Sequence, residues 1–278
     1  MKIGFIGLGN MATAIIGGLL REDTALSSED GNATVITAAN IIGSAKTEAT
    51  RQKRAEQFGI AITASNREVA EAADVLVLAV KPQFFPEVIA EIRDAVSENT
   101  LVISIAAGLT LERIAGLFDR NVTAMRLIRC MPNTPALVNA GCTAVVPGPG
   151  ATEADEALCL RLMESFGRAI VIPERLMDAA SATAGSSPAF VFMFIEALAD
   201  GAVAAGMPRA QAYEFAAAAV AGSAQLVLET GRHPGDLKDM VCSPGGTTIE
   251  GVRALEEGAF RASVMNAISA CVEKAKAL

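Results

Sequence analysis

The run Asp74–Val80 reads DVLVLAV, and Leu101–Gly108 reads LVISIAAG. Neither alternates polar with apolar residues. A strand of that composition has no face to show to water, so it belongs in a parallel sheet covered by helices on both sides. The first 173 residues keep this pattern. Ile3–Ile6, Ala33–Ala38, Ile60–Thr63, Val122–Ile128, Thr143–Val146 and Ala169–Ile172 read as further strands. Ala12–Leu20, Arg51–Phe58, Phe84–Ala95, Leu111–Leu117 and Glu153–Phe166 read as helices between them. The alternation predicts a Rossmann-like, doubly wound α/β domain over residues 1–173.

After Pro173 the pattern changes. From Met177 onward no segment reads as a strand. Pro188 fits a helix start, with Ser186 and Ser187 as candidate caps. Phe190–Ala204, Arg209–Thr230 and Ile249–Lys274 each read as a long helix. The second domain, residues 174–278, is therefore expected to be all-α.

Composition narrows the classes of function. Of the 278 residues, 51% are hydrophobic, which raises the question of a membrane. A span needs about 20 continuous apolar residues. Ala189–Ile195 is cut by Glu196 and Asp200, and Phe215–Leu228 contains Gly222, Ser223 and Gln225. The apolar excess is mostly alanine, which points to closely packed helices, often between subunits, and not to a membrane. A net charge of −8 argues against nucleic acid as a partner, because phosphate backbones demand a basic face. The five cysteines are scattered with no CxxC pair, and no His/Cys/Asp cluster has metal-ligand spacing. Unpatterned cysteines and a start without a signal-peptide pattern lead us to expect a cytoplasmic protein without a metal.

GFIGLGNMA places Gly7 and Gly9 between the strand Ile3–Ile6 and a helix, with Ala12 at the third glycine position. Gly7 allows the tight turn, and Gly9 lets the backbone approach a pyrophosphate at the helix N-terminus. In this strand–turn–helix context the motif predicts dinucleotide binding. NAD-preferring sites usually end the second strand with an acidic residue. Here Ala38, Ala39 and Asn40 stand at the expected strand end, followed by Ser44, Lys46, Thr47 and Arg51. That favours NADP, although a solvated basic loop reads the same way. AVKP (Ala79–Pro82) and SIAAG (Ser104–Gly108) end two strands, at the edge where ligands bind in such sheets. Lys81 either holds phosphate or is an exposed loop lysine. MPNTPALVNAG forms a rigid loop at the same edge. His233, the one histidine, lies in GRHPG and reads as a turn or cap residue.

CSPGGTT, residues 242–248, has no acid, base or aromatic side chain. Ser243 and Pro244 read as a helix N-terminus. Gly245 and Gly246 would each cost about 1 kcal/mol inside a helix, which a plain cap does not explain. Free amides, two threonine hydroxyls and a helix dipole make a carboxylate site.

Together GFIGLGNM, AVKP, SIAAGLTL, MPNTPALVNAG, GSSPAFVFMFIEALADGAV, GMPRAQAY and HPGDLKDMVCSPGGTTIEGVRALE resemble pyrroline-5-carboxylate reductases nearly end to end. The resemblance implies reduction of 1-pyrroline-5-carboxylate to L-proline with NADPH or NADH, the last step of proline biosynthesis. It also implies a helical domain that builds an intertwined homodimer, often assembled into a homodecamer. By the same resemblance Gly7, Leu8, Gly9, Asn10 and Met11 hold the pyrophosphate, and Asn66 contacts the adenosine side. Val80, Lys81 and Pro82 line the cofactor cleft, and Ala106 and Ala107 lie near the nicotinamide. Ser243, Gly246 and Thr247 hold the substrate carboxylate, with Gly245 opening the same turn, and Thr248 stands near the ring nitrogen. The segment between Thr37 and Phe58 departs from the family: it is longer and lacks the usual short serine-rich turn.

The chemistry is compatible with so plain a loop. Hydride attack prefers a protonated imine, and the imine nitrogen is basic enough for solvent to supply that proton. Positioning and electrostatic orientation then carry catalysis, with Thr248 bonding the nitrogen. A related hydroxyacid dehydrogenase would want a general-acid lysine in the helical domain. Lys238, Lys274 and Lys276 lie in no motif of that kind.

Overall fold

A computed structural model describes residues 1–21, 25–27 and 33–276. It divides into two compact units, Met1–Gly185 and Ser186–Lys274. The first contains β1 (Ile3–Ile6), α1 (Asn10–Leu19), β2 (Ala25–Ser27), β3 (Ala33–Val35), β4 (Ile41–Ser44), α2 (Glu48–Phe58), β5 (Ala61–Thr63), α3 (Asn66–Ala72) and β6 (Val75–Leu78). It continues with α4 (Phe85–Ile92), β7 (Leu101–Ser104), α5 (Leu111–Leu117), β8 (Leu127–Met131), β9 (Gly141–Pro147), α6 (Glu153–Glu164), β10 (Gly167–Val171) and the short α7 (Met177–Ala180).

An eight-stranded sheet runs in the order β10-β9-β8-β7-β6-β1-β4-β5. Every pairing is parallel except β8 with β9. Strands β5 to β8 thus take the doubly wound order, with β1 at the point where the winding reverses. The uninterrupted apolar runs explain this. On one face Ile3, Phe5, Val75, Val77, Leu101 and Ile103 pack with Ile15 and Ile16 of α1 and Leu162 of α6. On the other, Leu76, Leu78 and Val102 pack with Val69 of α3, Phe85 and Ile89 of α4 and Ile114 of α5. Each fully buried side chain of this size contributes about 2 kcal/mol.

Three expectations are corrected here. Ala33–Ala38 does not form the second strand of the main sheet; β3 pairs antiparallel with β2 in a separate two-stranded sheet. The strand beside β1 is β4, which the short run IIGS had hidden. Val122–Ile128 is a 3₁₀ turn at Val122–Ala124 followed by β8. The expected long helix Ile249–Lys274 is two helices, broken at Gly258 and Ala259, where Ala259 takes φ 54°.

The second unit is helical: α8 (Ser187–Ala204), α9 (Arg209–Thr230), α10 (Pro234–Val241), α11 (Thr247–Glu257) and α12 (Phe260–Lys276). No strand follows Val171 among the described residues. Ala199, Ala212 and Ala216 let α8 and α9 approach closely, with Ile195 and Met207 against them. Phe194 meets Phe260 with ring centroids 5.9 Å apart. Much apolar surface stays uncovered: Phe192 is 62% exposed, Phe215 66% and Met265 69%. The helical run Glu174–Ala204 has a mean hydropathy of 1.5 over its most apolar stretch, and by length and composition alone could cross a membrane.

Candidate functional site

The carboxyl ends of β1, β4 and β6 surround a cleft of about 660 Å³. Its floor is the turn after β1. Gly7 sits at φ 94°, and a Cβ there would fall 2.9 Å from Val80 Cγ1 and 3.0 Å from the Ala79 carbonyl, so only glycine fits. Gly9 is the N-cap of α1, with no side chain capping the helix and no acidic residue in its first turn. A Cβ on Gly9 would meet nothing within 4 Å, so there is open space beside this helix start. An uncapped helix start after a glycine turn on a doubly wound sheet is a geometry that can hold an anion.

One wall of the cleft follows β4. Thr47 caps α2: its hydroxyl accepts from Thr50 N at 3.3 Å and donates to Thr50 Oγ1 at 2.8 Å. Lys46, Thr47, Thr50 and Arg54 all line the cleft. Thr47, Thr50 and Arg54 are spaced three and four apart and so share one face of α2. Arg54 Nε reaches the Leu8 carbonyl at 3.4 Å, which ties this wall to the glycine turn. The opposite wall is α4, which contributes Glu87, Val88 and Glu91, with Phe84 just before it. Asn66, at the start of α3, stands between the walls. Ser44 Oγ donates to Asn66 Oδ1 at 2.7 Å, and Asn66 Nδ2 donates to Glu91 Oε2 at 2.7 Å.

The second candidate site is the turn before α11. Gly246 N donates to the Ser243 carbonyl at 3.0 Å, closing a four-residue turn. Pro244 takes the second position and Gly245, at φ 67°, the third, the pattern of a type II turn. The helix starts at Thr247 with Gly246 as N-cap, so Pro244 and Ser243 are turn residues and not the expected helix start and cap. A Cβ on Gly246 would lie 2.4 Å from Ser243 Oγ, while one on Gly245 would meet nothing within 4 Å. No side chain caps α11. Its first amides, Gly245 and the hydroxyls of Thr247 and Thr248 therefore stand where an anion can be held. The charges just upstream satisfy each other: Asp239 hydrogen-bonds Lys238 and raises its pKa. His233 is a cap, as expected: its Nδ1 accepts from Gly235 N at 3.0 Å at the start of α10.

Known proteins are similar to this chain over its whole length. The chain is 51% identical over 277 residues to the pyrroline-5-carboxylate reductase of Escherichia coli K12, covering 100% of this chain and 98% of that one. The chain belongs to the pyrroline-5-carboxylate reductase family. Residues 174–278 match the pyrroline-5-carboxylate reductase dimerisation family, and residues 2–108 match the coenzyme F420-dependent NADP oxidoreductase family. The solved reductase of Coxiella burnetii superposes with a TM-score of 0.89 at 33% identity, covering 99% of this chain and 97% of that one. That of Plasmodium falciparum, solved with NADP bound, gives 0.80 at 30% identity and covers 100% and 97%.

Of the residues that the resemblance to this reductase family assigned to the cofactor, Gly7, Leu8, Gly9, Asn10, Asn66, Val80 and Lys81 line the cleft. Met11, Pro82, Ala106 and Ala107 lie outside that lining. Ala106 is buried behind β7, where its N–H donates to Ser104 Oγ at 3.3 Å. Asn133 of the MPNTP loop is structural: its side chain donates to the Ala184 carbonyl at 2.9 Å and accepts from Cys142 N at 2.8 Å.

The polar group at the end of the second strand needs the largest correction. Ala38–Asn40 precede β4 and lie at the other end of the sheet, where Asn40 Nδ2 donates to the Met1 carbonyl at 3.1 Å. The residues that stand at the cleft are Ser44 to Thr47. Ser44 ends β4, and Ala45 and Lys46 lead from it to the cap Thr47; counting from the strand Ala33–Ala38 misplaces them. Arg51 is committed to the carbonyls of Ala45 and Lys46, at 2.9 and 3.1 Å. Thr50, Arg54, Glu87 and Glu91 were not anticipated. Their i, i+4 spacing on α2 and α4 was the available signal, once the strand ends were known.

Proposed function

We infer that this chain reduces 1-pyrroline-5-carboxylate to L-proline with hydride from NADPH or NADH, the last step of proline biosynthesis. The observation that carries this is the end-to-end identity of 51% with a reductase of that name. The geometry agrees with it. The glycine turn, open above Gly9 and closed to any side chain at Gly7, fits a dinucleotide pyrophosphate. When bound, the reduced nicotinamide supplies the hydride.

The roles assigned to the chain's residues belong to the same proposal. Gly7 to Met11 hold the pyrophosphate through amides, while Val80, Lys81 and Pro82 shape the neighbouring wall and Ala106 and Ala107 the nicotinamide end. Lys46, Thr47, Thr50 and Arg54 offer two cations and two hydroxyls at a helix N-terminus, which suits a 2′-phosphate and favours NADPH. In the turn before α11, Ser243, Gly245, Gly246 and Thr247 hold the substrate carboxylate. Thr248 bonds the ring nitrogen, and solvent protonates it. No strong protein acid is required, and none stands in the turn.

The partners follow from surface chemistry. A second copy of the chain covers the apolar faces of α8 and α9, which gives a homodimer and allows assembly to a decamer. That covering explains the apolar run Glu174–Ala204 without a membrane. A net charge of −8 keeps nucleic acid away, and the enzyme works in the cytoplasm.

The test is to mix purified protein with 1-pyrroline-5-carboxylate and follow loss of the reduced nicotinamide's near-ultraviolet absorbance, first with NADPH and then with NADH. Proline should form, faster with NADPH at low cofactor concentration. A folded protein that binds NADPH yet oxidises neither cofactor would defeat the assignment.

A further inference from the structure

The Ser44–Asn66–Glu91 chain of hydrogen bonds has a direction, and Glu91 sets it. The two ends of an asparagine amide have nearly the same shape but opposite hydrogen-bonding sense. Ser44 cannot decide between them, because a hydroxyl both donates and accepts. An ionised glutamate only accepts, so Glu91 draws Nδ2 to itself at 2.7 Å. Oδ1 then faces Ser44, whose hydroxyl must donate at 2.7 Å. Ser44 is fully buried at the end of β4, so its proton has been committed inward and is not offered to a phosphate. Asn66 keeps one Nδ2 proton for a ligand oxygen on the cleft wall. With the amide inverted, that wall would present an acceptor where it now presents a donor, and the oxygens of a ribose or phosphate would be refused.

We propose that Glu91 is a positioning residue for the nucleotide, fixing the Asn66 amide so that its N–H faces the cleft. This rests on the cleft being the nucleotide site. Glu91 also brings negative charge to a wall it shares with Glu87, facing a cleft that Lys46, Arg54 and Lys81 line as well. If that charge were its main effect, removing it would tighten the binding of an anionic cofactor. The positioning role predicts the opposite sign.

The experiment is a fluorescence titration of the purified protein with NADPH, which needs no turnover. Glu91→Ala should raise Kd about tenfold, the scale of one charge-assisted hydrogen bond, with the melting temperature unchanged. Glu91→Gln, whose side-chain oxygen can still accept from Asn66, should bind within about threefold of the parent on the same scale. In an Asn66→Ala background, Glu91→Ala should have no further effect. Unchanged or tighter binding in Glu91→Ala, no rescue by Glu91→Gln, or a full additional loss in the Asn66→Ala background would each overturn the proposal. If the parent itself does not bind NADPH, the nucleotide assignment of the cleft fails first, which is a separate and recognisable result.

Discussion

The roles proposed for Gly246 and Thr248 differ although the residues stand two apart, and kinetics can separate them. A methyl group on Gly246 would fall 2.4 Å from Ser243 Oγ and force that hydroxyl out of its place in the turn. Gly246→Ala should therefore raise the KM for the imine about tenfold or more by disturbing the anion site. Thr248→Ala leaves the turn intact and removes a hydroxyl proposed to act on the ring nitrogen. It should lower kcat by about 10²-fold, the scale of one lost transition-state hydrogen bond, with a smaller change in KM. Equal activity of Thr248→Ala and parent would remove Thr248 from the mechanism. That a helix begins in this stretch was legible in the sequence, from Ser243, Pro244 and the two glycines. Its shape was not. The positive φ of Gly245 moves the helix start from Pro244 to Thr247, and no propensity distinguishes a Ser-Pro cap from a Ser-Pro turn.

Helix α6 shows how an element is pinned to the sheet. Thr152 and Asp155 form a capping box: Asp155 Oδ2 accepts from Thr152 N at 2.9 Å, and Thr152 Oγ1 accepts from Asp155 N at 3.2 Å. Asp155 also receives both arms of Arg126, Nε at 2.9 Å among them. Burial pushes this carboxyl up, but Arg126 and Thr152 together pull it further down, so its pKa is lowered. A depressed folded pKa adds stability that is present above the ordinary carboxylate range and is lost as pH falls through the folded value. Asp155→Asn should cost about 2 kcal/mol near neutrality, measured by denaturant unfolding. The gap from the parent should close as pH drops below the carboxylate range; a constant gap would assign the loss to the cap alone. At this scale the long uninterrupted runs were legible, since β6 and β7 have no polar face. The short strand β4 was not. Four residues with a glycine among them carry too little pattern to outweigh the apolar stretch before them.

The whole molecule is not self-sufficient in its second half. The first unit buries both faces of its central strands β1, β6 and β7, whereas the helical unit leaves Phe192, Phe215 and Met265 at 62%, 66% and 69% exposed. Large apolar side chains left this exposed on one small unit fit a surface that a partner covers. Light scattering at micromolar concentration should give a mass of at least two chains, and Phe192→Asp should shift it toward one. A parent that stays monomeric would contradict the oligomer. The separate β2–β3 pair carries a practical lesson for anyone redesigning coenzyme preference. Counting a fixed distance from the glycine turn would direct substitutions to Ala38–Asn40. Those residues brace the start of the chain against the far end of the sheet, where Asn40 reaches the Met1 carbonyl. Such edits would loosen the scaffold and leave selectivity untouched. On the proposed reading of the cleft, the positions to vary are Lys46, Thr47, Thr50 and Arg54, and the chain between α1 and β4 is what hides them from a fixed rule of spacing.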